Sequence, residues 1–391
     1  MTKGYEALNV SGKRRVALMA GLAAVVVGTM GGLPASGSTF GGQAAQQGPG
    51  AAALSGPGWK SAGASKLLSS GYTIRFHDRR AADWLGPYVR ASAAELRRIT
   101  GLPVTVDAAP VGYLAPRSTG EIVVGALANP CVKPADGGPW AVVTDGSGTP
   151  GFSCGFHARA LPETVTSGQV YIDTSFFTAD GRPSARLGEA GMRNHVSHEL
   201  GHALGLAHAD DAPGGCLKGA DSGERPVMCT AANGYQDARA GQYVQQFDVQ
   251  GLRALAAAAG APVPPQGPVR GVGGTCLDVE GGRPANGTPI RIGACDTGVG
   301  QSWILDRDGT FRALGKCLDD TGDGSADGTR IQLFDCNGSP AQKWRVDAKG
   351  RVVHIATGKV LDVPGDHSTN GAAVQLYSAH SGRGQLWEVP K

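Results

Sequence analysis

The sequence predicts two domains of different class, an α+β domain over residues 67–258 and an all-β domain over 269–391. Three observations predict this. Between Tyr72 and Ala258, segments with strand alternation and segments with helical spacing follow one another. The run Gly260-Ala261-Pro262-Val263-Pro264-Pro265-Gln266-Gly267-Pro268 reads as a stiff extended spacer, which places a linker at 259–268. Beyond it the sequence repeats itself three times, a signal to be recognised before any local reading.

The chain begins with Lys13-Arg14-Arg15 and an apolar run from Val16 to Met30, followed by Gly31-Gly32-Leu33-Pro34-Ala35. Residues 1–35 are therefore expected to be an export signal. A retained membrane anchor is the rival reading, because the run approaches eighteen residues if Leu33 is counted. The glycines, Pro34 and the small residues after it favour cleavage near Ala35. Residues 36–66 are Gly, Ala, Ser, Gln and Pro, too poor in large apolar side chains to pack, and are expected to be a flexible tether. A net charge of +3 with 18% charged residues and few basic runs gives no reason to expect a nucleic acid or an anionic membrane as partner. Once the signal is cleaved, no stable membrane association is expected.

Tyr72 to Phe76 alternates like a strand, and Trp84 to Thr100 has helical spacing that stops at Gly101. Strands are expected at Val104–Val106, Glu121–Val124, Ala141–Thr144 and Gln169–Asp173. A helix beginning near Glu189 and a last one over about Phe247–Ala258 complete the domain. Asp145-Gly146-Ser147-Gly148 reads as a glycine turn rather than a calcium loop.

Four of the nine histidines fall within residues 195–208. His198 and His202 are four apart, so on a helix their imidazoles stack on one face. Both can then reach one ion at about 2.0–2.1 Å. Glu199 points around the helix from them, where it can touch water without ligating the metal. Gly205 is a natural left-handed stop, after which the chain can return His208 as a third ligand. Asp210 and Asp211 are rival third ligands, but the spacing favours His208. Three protein ligands leave a fourth position open, the arrangement of catalytic rather than structural zinc. His195, one turn before His198, reads as a partly exposed helical histidine.

The pattern His198-Glu199-x-x-His202-x-x-Gly205-x-x-His208, with Arg225-Pro226-Val227-Met228-Cys229 downstream, resembles the metzincin superfamily of zinc endopeptidases, and the matrixin-like members in particular. The resemblance implies Zn2+ on His198, His202 and His208, Glu199 as general base, and a methionine turn at Met228 beneath the metal. It implies a metzincin-like catalytic domain whose exposed edge strand pairs with the substrate backbone, for which Gln169–Phe177 is the candidate by position. Thr230 stands where some relatives carry a tyrosine. The first cysteine is Cys131, so no cysteine that caps the zinc in a propeptide is visible. Eight cysteines in an exported chain lead to the expectation of disulfides, whose pairing spacing alone does not prove. Bonding Cys216 to Cys229 would pin the floor of the metal site, and Cys131 with Cys154 is then left over.

The repeats open at Gly274-Thr275-Cys276-Leu277-Asp278, Gly315-Lys316-Cys317-Leu318-Asp319 and Gly358-Lys359-Val360-Leu361-Asp362. They close at Gln301-Ser302-Trp303, Gln342-Lys343-Trp344 and Gln385-Leu386-Trp387, with tryptophans 41 and 43 residues apart. Each unit is too small to bury its own apolar face, so three should close around a shared core containing the tryptophans. This resembles the ricin-type β-trefoil lectin family. The cysteines recur nineteen apart in the first two units, which suggests Cys276–Cys295 and Cys317–Cys336. The resemblance implies sugar sites at Asp319, Gln332, Phe334 and Gln342 in unit two, and at Asp362, Gln375, Tyr377 and Gln385 in unit three. Carboxylates and amides would bond vicinal hydroxyls while the ring stacks on the sugar. Unit one has Arg291 and Gly293 where the amide and ring belong, and should bind poorly. The acidic run Asp319–Asp327 lacks the closing Glu of a calcium loop.

The expected function is a secreted zinc endopeptidase that acts on protein or glycoprotein substrates, with carbohydrate bound through the trefoil. The alternative is a carbohydrate-binding secreted protein whose metal domain is catalytically inactive.

Overall fold

A computed structural model describes residues 64–112, 117–132, 141–160, 163–211, 216, 218, 224–230, 233–296 and 298–391. The expected export signal at 1–35 and nearly all of the segment 36–66 lie outside the described residues. Ordered packing begins slightly before the expected start at 67. Ala64 is buried, the Ser65 N–H donates to Glu163 O at 3.1 Å, and Lys66 bridges to Thr164.

The first domain holds a five-stranded sheet. Its strands are β1 (Tyr72–Phe76), β2 (Val104–Pro110), β3 (Glu121–Leu127), β6 (Cys154–Ala160) and β7 (Thr164–Asp173), in the order β2-β1-β3-β7-β6. A separate pair, β4 (Cys131–Val132) with β5 (Ala141–Val142), is much shorter than the strand expected at Ala141–Thr144. β2, β1, β3 and β7 run parallel, and only β6 is antiparallel to its neighbour. The domain is therefore mixed α/β. Parallel neighbours need a crossover, and α1 (Arg79–Thr100) supplies it between β1 and β2.

Helix α1 starts because the Asp78 carboxylate accepts the Ala81 N–H at 2.7 Å, and stops at Gly101 in the left-handed region, φ 68°. Leu85, Val89 and Leu96 share its buried face and pack with Ile74, Ile122, Val124 and Val170 of the sheet. Helix α2 (Gly188–Ala203) crosses the sheet where two strand residues have no side chain. A Cβ on Gly155 would come within 2.2 Å of Glu199 O, and one on Gly168 within 2.8 Å of Ala203 Cβ. Helix α3 (Gln250–Ala258) follows a π-helical turn at Gln245–Val249, so the helix expected from Phe247 opens with a wide turn.

β6 was not expected from the pattern. Its sequence Cys-Gly-Phe-His-Ala-Arg-Ala is exposed toward one end and lacks clean alternation. The sheet order also corrects the expected edge strand. Gln169–Phe177 belongs mostly to β7, which is paired on both sides, and the free edge beside α2 is β6.

The second domain is a three-fold all-β assembly. Hairpins 276–279/288–293, 316–320/329–334 and 360–362/375–377 recur once per unit. Trp303, Trp344 and Trp387 are buried at its centre. Their indole N–H groups donate to Leu277 O, Leu318 O and Leu361 O at 2.9, 3.1 and 3.0 Å, so each tryptophan clamps the opening strand of its own unit.

The segment expected as a spacer is packed against both domains. Proline removes backbone donors and leaves its carbonyls free. Pro264 O accepts from Arg253, and Pro262 O accepts from Arg307 at 2.5 Å. Gln266–Gly267 adds as a strand to Trp303–Ile304. Two charged contacts join the domains. The Asp306 carboxylate is fully buried between Arg98 of α1 at 2.8 Å and Arg312 at 3.2 Å. Burial works against the charge on Arg98, but Glu95 and Asp306 outweigh it and hold the guanidinium above its ordinary pKa. Arg239 approaches Asp335 at 3.3 Å.

All eight cysteines are paired, as Cys131–Cys154, Cys216–Cys229, Cys276–Cys295 and Cys317–Cys336. Among the described residues no helix is long and apolar enough to cross a membrane.

Candidate metal centre and carbohydrate surface

Helix α2 presents His198 and His202 one turn apart. It ends at Gly205, φ 87°, where the Leu206 N–H reverses onto Gly201 O at 2.9 Å and brings His208 back. The Nε2 atoms of His198 and His208 each lie 3.1 Å from His202 Nε2. Backbone carbonyls fix the protonation of two of these rings. His198 Nδ1 meets Val227 O at 2.7 Å and His202 Nδ1 meets Leu206 O at 2.8 Å. A carbonyl only accepts, so both Nδ1 atoms carry the hydrogen and both neutral rings turn an Nε2 lone pair inward. Burial, followed by the neighbouring histidines, holds His198 well below its ordinary pKa, and burial and then His208 lower His202 to about 4. Unprotonated lone pairs facing each other at 3.1 Å repel unless a cation lies between them. The donor set fits zinc. Bonds of about 2.1 Å at a tetrahedral centre place nitrogens about 3.4 Å apart.

Glu199 is 4% exposed, and its Oε2 has no hydrogen-bond partner among the described residues. Burial raises its carboxyl to about 8. An unpartnered buried carboxylate beside three converging imidazoles fits a base that acts on water. No fourth His, Cys, Asp or Glu joins the histidine cluster among the described residues. Asp210 is engaged elsewhere, accepting from Thr230 N at 3.0 Å and Thr230 Oγ1 at 2.5 Å, so it does not compete with His208. The side chain of Asp211, the other rival, lies outside the described residues.

Met228 is buried beneath α2, and a Cβ on Gly201 would come within 2.4 Å of its Sδ. That contact fixes how closely α2 lies on Met228, although the motif assigns Gly201 nothing. Three further residues hold the site. The buried Asp248 carboxylate accepts from Val227 N at 2.7 Å, Val244 N at 3.0 Å and Met228 N at 3.4 Å. Burial pushes its pKa up to about 7 against the pull of those amides. Asn194 ties α2 to the loop after the methionine, and His157 of β6 reaches His202 O at 3.0 Å. None has a spacing signal, because each comes from a different element. His195 is half-buried on α2, in line with the partly exposed helical histidine expected. Its Nε2 bonds Ser153 Oγ at 2.7 Å, its ring packs edge-on to Phe176, and burial lowers its pKa to about 4.

In the second domain, Gln342 and Gln385 are held by the protein's own backbone. Both are fully buried, and their amides serve the backbone: Gln342 Nε2 donates to Asp335 O at 2.8 Å and Gln385 Nε2 to Ser378 O at 3.1 Å. Gln301 repeats this in unit one with Ala294 O at 2.9 Å. They brace the turns before each tryptophan. Asp319 is saturated by Gln332 at 2.8 Å and Gln342 at 2.9 Å, with Phe334 half-buried on the same strand as Gln332. Asp362 differs. Its Oδ2 accepts from Gln375 at 2.7 Å, while its Oδ1 has no hydrogen bond and faces His380 Nε2 at 3.4 Å. Tyr377 meets His380 edge-on, which adds to the expected unit-three set a residue the repeat pattern did not single out. In unit one Arg291 lies on Glu280 at 2.5 Å and on Gly371 O at 3.2 Å, filling the position of the amide.

Residues 265–389 match the family model described as the ricin-type beta-trefoil lectin domain. No curated protein matches the chain. Among solved structures, the designed three-fold symmetric protein ThreeFoil is 28% identical, with TM-score 0.31, over 32% of this chain and 98% of its own. The agglutinin from Abrus precatorius is 29% identical, TM-score 0.30, over 32% of this chain and 48% of its own. The C-half of an earthworm R-type lectin, solved in complex with GalNAc, is 25% identical, TM-score 0.29, over 32% and 98%. The chain thus carries a ricin-type β-trefoil lectin domain at its C-terminal end, behind a mixed α/β domain in which His198, His202 and His208 converge.

Proposed function

We propose that the protein is a secreted zinc endopeptidase of the metzincin type whose lectin domain brings it to glycan-bearing protein substrates. The observation that carries this reading is the convergence of three imidazole Nε2 atoms next to Glu199, whose buried Oε2 has no hydrogen bond among the described residues. In this reading residues 1–35 are removed on export and residues 67–258 form the catalytic domain. Zinc on the three histidines would supply Lewis acidity and lower the pKa of its water to about 7. Glu199 takes a proton from the attacking water at its carboxylate and returns it to the leaving amine. Val227 O and Leu206 O keep two imidazoles in the ligating tautomer throughout. Substrate backbone would add to the free edge of β6, next to α2.

The deciding experiment is casein digestion by the purified mature chain with and without a zinc chelator. Loss on chelation and recovery with Zn2+ is expected, and activity that survives complete metal removal sinks the proposal. A chain that cleaves nothing under any condition would favour the second reading, a carbohydrate-binding protein with an inactive metal domain.

Sugar binding is assigned first to unit three, where the buried Asp362 Oδ1 has no hydrogen bond among the described residues, and second to unit two. Asp362→Ala should weaken binding to an immobilised galactoside by roughly 5- to 150-fold, the range for a lost charged hydrogen bond of about 1–3 kcal/mol. Asp278→Ala in unit one should leave it unchanged. Equal losses in both variants would rule out unit three as the principal pocket.

A further inference from the structure

We propose that Arg239 and Asp335 form a positioning pair across the domain boundary, through which the lectin domain holds the loop behind the three histidines. The proposal rests on reading those histidines as a metal site and on no particular reaction.

The loop 233–243 carries the chain from the Met228 turn toward α3. On one side it is tied to α2. Asn194 Nδ2 donates to Asn233 O at 3.1 Å and Tyr235 O at 2.8 Å, and Asn194 Oδ1 accepts from Gly241 N at 2.7 Å. Gly234 has no room for a Cβ, which would sit 2.6 Å from the Asn194 amide. Asn233 Nδ2 donates at 2.9 Å to Val227 O, the same carbonyl that orients His198. A shift of this loop therefore moves the acceptor on which the His198 tautomer depends.

On its other side the loop faces the lectin domain. A Cβ on Gly315 would come within 2.4 Å of the Tyr235 hydroxyl, so the Tyr235 side chain of the loop packs onto the lectin domain at a residue without a side chain. The Arg239 guanidinium lies 4.0 Å over the Tyr235 ring and 3.3 Å from Asp335 Oδ1. Its side chain is 7% exposed, so solvent does little to screen the pair. Asp237 on the same loop already neutralises Arg239, at 2.6 Å. Charge balance alone does not need Asp335. What Asp335 adds is a fixed point, because Lys316 and Asn286 clamp its carboxylate inside the lectin domain. Its own carbonyl holds Gln342, whose amide also lies on Asp319 of the unit-two pocket.

The test uses the full mature chain, with zinc affinity measured by competition against a chromophoric chelator. Arg239→Gln and Asp335→Asn should each weaken zinc binding by roughly threefold to thirtyfold, the span found for residues that couple sites without touching a ligand. The double variant should be no weaker than the worse single one, because the two act as a unit. Lys359→Gln, which removes a lysine–aspartate pair elsewhere in the lectin domain, should keep the affinity. Should Asp335→Asn fail to fold, Arg239→Lys, which loses the planar fork but keeps the charge, gives the same readout. Zinc affinity within twofold of the unsubstituted chain in both single variants overturns the proposal. So does an equal loss in Lys359→Gln. A chain that binds zinc but cleaves nothing leaves this proposal standing and defeats the peptidase reading. A chain that binds no zinc overturns both.

Discussion

Glu199→Gln is expected to keep zinc bound at native stoichiometry and to lower hydrolysis of a protein substrate by about 10²–10⁴-fold, the contribution of a positioned proton transfer. Glutamine has the same shape and also finds no partner where Oε2 stands, so the fold has little to lose. The substitution also removes a buried carboxyl that burial raises to about 8 and makes costly to ionise. The three histidines keep their own orienting carbonyls, which do not involve Glu199. Metal content by atomic absorption alongside turnover separates the two effects. A variant that cleaves at the native rate would remove Glu199 from the chemistry. One that loses its metal would make it a structural residue.

Trp344→Ala should produce the largest loss of stability in the chain, about 3–5 kcal/mol. The indole is 1% exposed at the centre of the three-fold core, and its N–H is spent on Leu318 O at 3.1 Å. Truncation leaves a cavity and an unpaired buried carbonyl together. The opening strand of unit two, with Asp319 at its end, loses the clamp that sets it. Chemical denaturation should show a urea midpoint lower by at least ~1 M, and binding through unit two should fall with it. A midpoint unchanged within error would mean that the core collapses around the gap, and the tryptophan would then not be the keystone of the unit.

The parts of this molecule legible in the sequence are those with a period. His198 and His202 lie one helical turn apart, Gly205 permits the reversal, and the Gln-x-Trp closings recur at nearly constant spacing, so local geometry and repetition expose them. What the pattern hides depends on contacts between distant segments. β6 is an edge strand with little alternation, and it became visible only through its pairing with β7. Asp248, Asn194 and His157 act on the metal centre from a π turn, the front of α2 and the sheet edge, with no common spacing. Gln342 and Gln385 fit a sugar-binding pattern, yet the same amide geometry serves equally well to close a turn, and only burial separates the two uses. The run of prolines at 262–265 has the composition of a spacer, but its bare carbonyls became acceptors for Arg253 and Arg307.

The Asp306 carboxylate, enclosed between guanidinium groups from both halves of the chain, bears on how the protein can be re-engineered. Its lectin half is not an interchangeable cassette. A chimaera that substitutes another sugar-recognition module after Ala258 would strand Arg98 against a surface never shaped for it. Any successful graft has to bring its own acid to that spot.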